Sequence, residues 1–148
     1  MKARDLMTPR PSVVLPDEPI LRAAEIMRDH DVGAVPVVDG RESLVLVGVI
    51  TDRDLAIRHV AAAHHHDCPV REHMSTGHLV TVRPEAGADD VMKKMRRCKV
   101  RRVMVTDEGG VLLGVVAQAD VVREEGDEHP RRVEKMLEEI SEPAGLPR

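Results

Sequence analysis

The sequence predicts an α/β fold in which two copies of one structural unit are related by pseudo-twofold symmetry. Two observations predict it: an apolar stripe with helical spacing and a later β-branched segment around a glycine both occur twice, in the same order. The stripes begin at Ile20 and Ala88, 68 residues apart, whereas Gly48 and Gly114 lie 66 residues apart because the second turn is two residues shorter. Each copy would bury only one face, so neither half is expected to fold well alone.

The first half is predicted to run strand, helix, strand, strand, helix. Ile20, Ala23, Ala24 and Met27 recur at the i, i+3, i+4, i+7 spacing of a helix. Short β-branched runs bounded by proline, glycine or aspartate indicate the strands. The predicted strands are 12–15, 34–39 and 46–51, and the predicted helices are 19–30 and 52–63.

The second half is predicted to repeat this order. Its helical stripe is Ala88, Val91, Met92 and Met95, and a Gly-Gly pair at 109–110 indicates a hairpin turn between two strands. The predicted strands are 79–82, 102–107 and 111–117, and the predicted helices are 87–98 and 118–124.

Composition sets the predicted boundaries, which are repeat 1 at 1–63, a linker at 64–69, repeat 2 at 70–124, and a C-terminal helix with its tail at 125–148. The C-terminal helix, predicted at 129–140, carries an apolar stripe of Val133, Met136, Leu137 and Ile140. Something must cover this stripe, and we expect it to pack on the rest of the module or on a second copy. A docking helix for another protein is the alternative. The tail, 141–148, is expected to fray.

Composition also excludes several classes of protein. The chain has 148 residues, a net charge of −4 and no Phe, Tyr or Trp, so its core must consist of aliphatic residues and Met. That charge gives no general attraction to nucleic acid or membrane, and no apolar stretch approaches the roughly 20 residues that span a bilayer. The first residues are too polar for a secretory signal, so we expect a cytoplasmic protein. Two cysteines, Cys68 and Cys98, are too few for a disulfide scaffold.

The linker contains three consecutive histidines, His64, His65 and His66, with Cys68 and His73 after them. These residue types can bind metals, but a structural metal site needs about four ligands at fixed spacing. Pro69 and the polar composition favour a solvated linker instead. The sequence therefore predicts no metal site.

Three segments together resemble a known family. They are a Met-Thr or Met-Ser near the start of each repeat, Val-Gly-Ala-Val-Pro-Val-Val-Asp at 32–39, and Gly-Val-Ile-Thr-Asp-Arg-Asp at 48–54. This combination resembles the cystathionine-β-synthase (CBS) domain, and two such domains in tandem look like a Bateman module. The resemblance covers about residues 3–124. The size of the chain and the segment 28–34 look like stand-alone bacterial CBS-pair proteins.

The resemblance implies regulatory binding of an adenosine-type ligand, such as AMP, ADP, ATP or S-adenosylmethionine, between the two repeats. It implies no catalysis and no required cofactor. In this family a hydroxyl and a carboxylate at the positions of Thr51 and Asp54 bind the ribose, and the matching acid in the second half is Asp120. Arg53, in the first helical turn, could add positive charge near the phosphates.

The resemblance also implies that each cleft borrows residues from both halves. The cleft with Thr51 and Asp54 would take its base-facing wall from Val100, Arg101 and Arg102, and the cleft with Asp120 would use Val32, Gly33 and Ala34. The two arginines suit phosphate recognition. They could equally belong to a solvated basic corner of the surface.

Thr51 and Asp54 also have the spacing of a capping box, in which both residues serve only to start a helix. The second half helps to separate the two interpretations, because Ala117 replaces the hydroxyl while Asp120 is kept. We reason that no box can form there, so that a ribose contact explains Asp120 better than a cap does. The missing hydroxyl also makes the second site the weaker candidate.

The favoured function is sensing: a homodimer binds an adenosyl ligand and signals through the geometry of the dimer or of the tail, with an unidentified effector protein as a possible partner. The alternative is a dimerising adaptor with empty clefts. An enzyme is not expected, because the sequence has no nucleophile beside a base, no evident carboxylate pair and no phosphate-binding loop.

Overall fold

The computed structural model describes residues 1–77 and 79–142. In chain order the elements are helix α1 (Ala3–Leu6), strand β1 (Thr8–Pro9), helix α2 (Ile20–His30), strands β2 (Ala34–Val38) and β3 (Leu46–Thr51), helix α3 (Asp52–Asp54) continued by a π-helix (Leu55–Val60), a 3₁₀-helix (Val70–Glu72), strand β4 (Thr81–Val82), helix α4 (Ala88–Cys98), strands β5 (Arg102–Thr106) and β6 (Leu112–Ala117), and helices α5 (Gln118–Glu125) and α6 (Pro130–Ser141). The predicted order of strand, helix, strand, strand, helix is confirmed for the second half, and for the first half from its first helix onward.

The chain forms two compact units. The first unit contains residues 1–9, 80–108 and 113–142, and the second contains Arg10–Leu79 and Gly109–Leu112. In the structure the first nine residues group with most of the second repeat, and Gly109–Leu112 group with the first repeat. Sequence similarity between the repeats does not indicate which repeat the first nine residues pack with.

The first unit is built on a four-stranded sheet with the order β1, β6, β5, β4. Strand β1 runs antiparallel to β6, with Thr8 opposite Val115, and β4 runs parallel to β5. Helices α1, α4, α5 and α6 contribute side chains to the same core as the sheet. Its buried members are Ala3, Leu6, Val82, Ala88, Val91, Met92, Met95, Val103, Val105, Val116, Val121, Val133, Met136 and Ile140.

The second unit has the same arrangement with shorter pairings. Strands β2 and β3 are antiparallel, and single bridges join Val14 to Val37 and Ser75 to Val49. The resulting order, Ser75, β3, β2, Val14, repeats the order β1, β6, β5, β4 of the first unit. Its core consists of Val14, Ile20, Ala23, Ile26, Val35, Val37, Ile50 and Val70.

A glycine in each unit allows the Met-Thr or Met-Ser segment to lie against the sheet. A Cβ on Gly114 would lie 2.5 Å from Sδ of Met7, and a Cβ on Gly48 would lie 2.9 Å from Sδ of Met74. Both distances are too short for a real carbon–sulfur contact. The repeated glycine and the repeated methionine are thus two parts of one packing requirement.

The predicted strand at 12–15 is reduced to the bridge at Val14. Pro11 and Pro16 flank this segment, and proline donates no ladder hydrogen bond. The helix predicted at 52–63 is also different, because after Asp54 it becomes a π-helix that ends at Val60. Helix α1 and strand β1 were not predicted.

Helix α6 packs on the first unit. Val133, Met136 and Ile140 are buried in its core, and the helix is flanked by ion pairs from Arg132 to Asp89 (2.6 Å) and from Arg96 to Glu139 (3.1 Å). The expectation that the stripe packs on the module is confirmed. The docking-helix alternative is wrong, because the stripe is already covered. Residues 143–148 of the predicted tail lie outside the described residues.

Within residues 1–77 and 79–142, no helix combines the length and apolar character that crossing a bilayer requires.

Candidate functional site

The predicted binding residues of the second unit meet where β3 ends and α3 begins. Ala34 lies opposite Thr51 in the β2–β3 ladder, and the backbone N–H of Asp52 donates to the carbonyl of Gly33 at 2.9 Å. The segment 32–34 therefore lies beside the start of the helix that carries Thr51 and Asp54. One strand pair and one backbone bond hold these two segments in register.

The first unit repeats this arrangement with its own residues. The N–H of Gln118 donates to the carbonyl of Arg101 at 2.9 Å, which places the start of β5 beside the start of α5. Arg101 and Gln118 correspond to Gly33 and Asp52 in the repeat. The same backbone bond thus brings Val100, Arg101 and Arg102 near Asp120.

A left-handed residue ends the helix before each of these segments. Asp31 has φ 53° and Lys99 has φ 50°, and neither residue is a glycine. The next residue folds back onto the helix, because the N–H of Val32 donates to Met27 and that of Val100 donates to Met95, both at 3.1 Å. The chain therefore turns sharply at the end of each helix and continues directly into the next strand.

Thr51 and Asp54 form a capping box. The backbone N–H of Thr51 donates to Oδ2 of Asp54 at 2.9 Å, and the N–H of Asp54 donates to Oγ1 of Thr51 at 3.1 Å. The structural interpretation of this spacing is therefore confirmed. It leaves a binding role open, because the box uses only part of the hydrogen-bonding capacity of the two side chains.

The second carboxylate oxygen of Asp54 is weakly engaged. Asp54 is only 9% exposed, yet among the described residues its Oδ1 accepts no hydrogen bond, and its ion-pair partner, Nε of Arg58, is 3.7 Å away. Oδ1 is not sealed from solvent, so water or a ligand can donate to it. The hydroxyl of Thr51, whose oxygen already accepts a bond, still has its own proton to donate.

Asp120 is engaged on both oxygens. Its Oδ2 accepts from the backbone N–H of Ala117 at 2.8 Å, and its Oδ1 accepts from the guanidinium of Arg123 at 2.8 Å. The argument that a cap cannot explain Asp120 was wrong, because a carboxylate caps the first turn without a hydroxyl partner. Asp120 is therefore no independent sign of a ligand.

The remaining predicted residues lie near the surface of their units. Arg53 and Arg101 are exposed, and Arg102 is half-buried. None of the three forms an ion pair with the described part of the chain. Val32 is 40% exposed, whereas Val100 packs against the core of the first unit. The phosphate role of the arginines and the sharing of each cleft between the two halves stay predictions.

The structure brings together polar residues that the sequence had suggested to be part of a solvated linker. His64, Cys68 and His73 meet in the second unit, and His59, which the sequence analysis missed, lies with them. The five-residue spacing of His59 and His64 is unremarkable in an α-helix, which places such residues on different faces. The turn that ends this helix, with Ala63 at φ 57°, folds His64 back toward His59.

Comparisons with known proteins agree with the duplication. Residues 3–59 and 70–127 each match the family model of the CBS domain. The chain is 39% identical over 118 residues to the CBS domain-containing protein YhcV of Bacillus subtilis, covering 80% of this chain and 81% of that one. It is 32% identical over 121 residues to Hypoxic response protein 1 of Mycobacterium tuberculosis, covering 82% of each.

Solved structures share the fold. A crystal structure of Hypoxic Response Protein I with two coordinated zinc ions superimposes with a TM-score of 0.73 at 32% identity, covering 84% of this chain and 98% of that one. CBSX2 in complex with AMP gives a TM-score of 0.71 at 29% identity, covering 86% and 97%. The CBS domain pair of MJ0100 with 5-methylthioadenosine and S-adenosyl-L-methionine gives 0.72 at 25% identity, covering 86% and 98%.

Proposed function

Because this chain belongs to the CBS domain family as a tandem pair, we propose that it is a regulatory module that binds an adenosine-type ligand through Thr51 and Asp54. Two of the similar solved structures hold AMP, or 5-methylthioadenosine and S-adenosyl-L-methionine. Adenosine is the chemical group that these ligands share. The relatives therefore support the class of ligand and leave its identity open.

The observation that carries the proposal is the uncommitted oxygen of Asp54. A ribose presents two neighbouring hydroxyl donors, and an ionised carboxylate accepts both in charge-assisted bonds. Oδ1 of Asp54 accepts no hydrogen bond from the described residues, although the side chain is buried. The hydroxyl of Thr51 lies beside it and can donate to the same sugar or to a phosphate.

The equivalent position in the first unit is proposed to bind more weakly. Ala117 supplies no hydroxyl, and Oδ1 of Asp120 already accepts from Arg123. One missing hydrogen bond costs about 0.5–1.5 kcal/mol net, and displacing Arg123 costs more. We therefore assign the higher affinity to the position of Thr51 and Asp54.

Two groups of residues are proposed to complete the clefts. As the family resemblance implies, Val100, Arg101 and Arg102 would form the base-facing wall of the cleft with Thr51 and Asp54, and Val32, Gly33 and Ala34 that of the cleft with Asp120. Gly33 and Ala34 are small and would leave room for a purine. Arg53, Arg101 and Arg102 would supply guanidinium groups for phosphates, which forked donors bind well.

The proposed role is regulation rather than catalysis. We propose a homodimer in which ligand binding shifts the geometry of the dimer or of the C-terminal segment, with no cofactor required. A ligand can shift this equilibrium only by its difference in affinity for the two states. Neither nucleic acid nor a membrane is a proposed partner, since a net charge of −4 attracts neither.

Thermal unfolding followed by circular dichroism tests the proposal with ATP, ADP, AMP and S-adenosylmethionine. A ligand at 100 times its dissociation constant adds about 2.7 kcal/mol of stability, which raises the melting temperature of a chain of this size by about 5–10 °C. A shift with at least one of the four supports ligand sensing. No shift with any of them at millimolar concentration contradicts it and favours the ligand-independent dimerising adaptor.

A further inference from the structure

Four side chains of the second unit form a compact cluster of nitrogen and sulfur ligands. His59, His64, Cys68 and His73 each offer one ligand atom, and these atoms lie within 4.8 Å of one another. We propose that this cluster binds one divalent transition-metal ion, with Zn²⁺ as the preferred ion. It lies where the π-helix and the linker meet the start of the second repeat.

The end of the helix brings the first two ligands together. In an α-helix, a residue five positions further on lies about 140° around the axis, so His59 and His64 would point apart. Here the π-helix ends at Val60, and His64 follows Ala63, which has a left-handed φ of 57°. The N–H of His64 donates to the carbonyl of His59 at 3.1 Å, and the N–H of Ala63 donates to that of Val60 at 3.0 Å, which are the two bonds of a Schellman cap. This turn folds His64 back beside His59.

The other two ligands come from the turn after the linker. The N–H of Cys68 donates to the carbonyl of His65 at 3.0 Å, and the N–H of His73 donates to Val70 across the 3₁₀-helix at 3.0 Å. These bonds place Cys68 and His73 on the side that faces the two histidines. All four ligands are thus positioned by backbone hydrogen bonds.

Two of the distances between ligand atoms are close to those around a tetrahedral zinc ion, and all of them lie within 4.8 Å. Bond lengths of about 2.0–2.1 Å to nitrogen and 2.3 Å to sulfur imply separations of about 3.3 Å between two nitrogens and about 3.6 Å between nitrogen and sulfur. Nδ1 of His64 lies 3.1 Å from Nε2 of His73, and Sγ of Cys68 lies 3.6 Å from the same nitrogen. Sγ lies 4.0 Å from Nδ1 of His64, within a small side-chain adjustment.

An unpaired buried nitrogen supports a ligand at this position. Nδ1 of His59 is buried and has no hydrogen-bond partner among the described residues. An imidazole nitrogen that has no hydrogen-bond partner can coordinate a metal ion.

The ligand set decides which ion fits. Three imidazoles and one thiolate suit Zn²⁺ and exclude Mg²⁺ and Ca²⁺, which take oxygen ligands. Sγ of Cys68 donates to Glu72 at 2.6 Å, which raises the pKa of the thiol, so binding must release this proton to solvent. Four protein ligands close the coordination shell. The ion would then pin the end of the π-helix to the linker as a structural site.

Co²⁺ and Zn²⁺ titrations of the untagged protein test the proposal. Co²⁺ bound by a thiolate in tetrahedral geometry gives a sulfur-to-cobalt charge-transfer band and intense visible bands. We expect one Co²⁺ per chain and its displacement by one Zn²⁺. The informative variants are Cys68→Ser and His64→Ala, because His64 is exposed and Cys68 only half-buried, so both proteins should fold. Each should lower Zn²⁺ affinity by more than about 100-fold, and Cys68→Ser should remove the charge-transfer band.

Matched controls distinguish this site from non-specific metal binding by the three consecutive histidines. Cys98→Ser removes the other, exposed thiol, and a double variant of His65→Ala with His66→Ala removes the adjacent exposed imidazoles. Both controls should bind Co²⁺ and Zn²⁺ like the wild type. Circular dichroism of each protein checks its fold. Absence of a charge-transfer band, unchanged affinity in folded Cys68→Ser, or loss of binding in the double variant would overturn the proposal.

Discussion

Replacing Asp54 by asparagine separates its role as a helix cap from its proposed role in ligand binding. The carboxamide oxygen of Asn can still accept the N–H of Thr51, which lies 2.9 Å from Oδ2 in the wild type. The carboxamide nitrogen then takes the place of Oδ1, so the charge and the free acceptor are both lost. An alanine at this position would remove both functions and could not distinguish them.

The expected effects differ in size. Loss of hydrogen bonds to a charged acceptor costs about 1.5–3 kcal/mol, so the dissociation constant should rise by about 10- to 150-fold. The free energy of unfolding should change by less than about 1 kcal/mol, because the cap is kept. The lost contact to Arg58 is long, at 3.7 Å, and that side chain is 54% exposed, so it contributes little.

Asp5→Asn is the matched control. Oδ2 of Asp5 accepts the N–H of Lys2 at 2.9 Å, which is the same kind of cap on helix α1 in the first unit. Isothermal titration calorimetry with the stabilising ligand measures affinity, and urea unfolding followed by circular dichroism measures stability. Wild-type affinity in Asp54→Asn, or an equal loss of affinity in Asp5→Asn, would refute the reasoning.

Two further predictions concern the packing of the first unit, and urea unfolding measures both. Met136 is fully buried, so Met136→Ala should lower the free energy of unfolding by about 2–5 kcal/mol. Glu138 is exposed, so Glu138→Ala should change it by less than about 0.5 kcal/mol. Equal effects of the two variants would mean that α6 is not packed on this core. Gly114→Ala should lower the free energy of unfolding by about 1–3 kcal/mol, because the new Cβ would meet Met7. Gly77 has open space around it, so Gly77→Ala should leave stability nearly unchanged. A Gly114→Ala protein as stable as the wild type would contradict the close packing of Met7 on Gly114.

The duplication made most of the fold predictable. Two copies of one pattern, with offsets of 68 and 66 residues, identified corresponding helices and strands, and helix α2 differs from its prediction by one residue at its start. The grouping of the first nine residues with the second repeat was not predictable. Helix α1 has four residues and β1 has two, too few for any periodicity, and β1 pairs with residues more than 100 positions away.

The sequence identified the residues of the candidate site, but it did not show which hydrogen bonds their side chains form. The spacing of Thr51 and Asp54 is the same for a cap and for a ribose contact, and the structure shows that the cap is present while one oxygen stays free. The metal cluster was hidden for a different reason. His64 is folded back toward His59 by a helix-ending turn in which Ala63 has φ 57°, and an alanine gives no sequence signal for a left-handed helix end.

Arg58 is the side chain that connects the two proposed sites of the second unit. Its Nε lies 3.7 Å from Oδ1 of Asp54, and its guanidinium donates to the carbonyl of His73 at 3.5 Å. Both contacts are long, and a guanidinium that is more than half exposed transmits at most about 1 kcal/mol, or a fivefold change in affinity. Since coupling between two sites is reciprocal, Zn²⁺ would alter adenosyl-ligand affinity by no more than this factor, and the ligand would alter Zn²⁺ affinity equally. The losses expected from Asp54→Asn and Cys68→Ser exceed this limit, so either proposal can fail without the other.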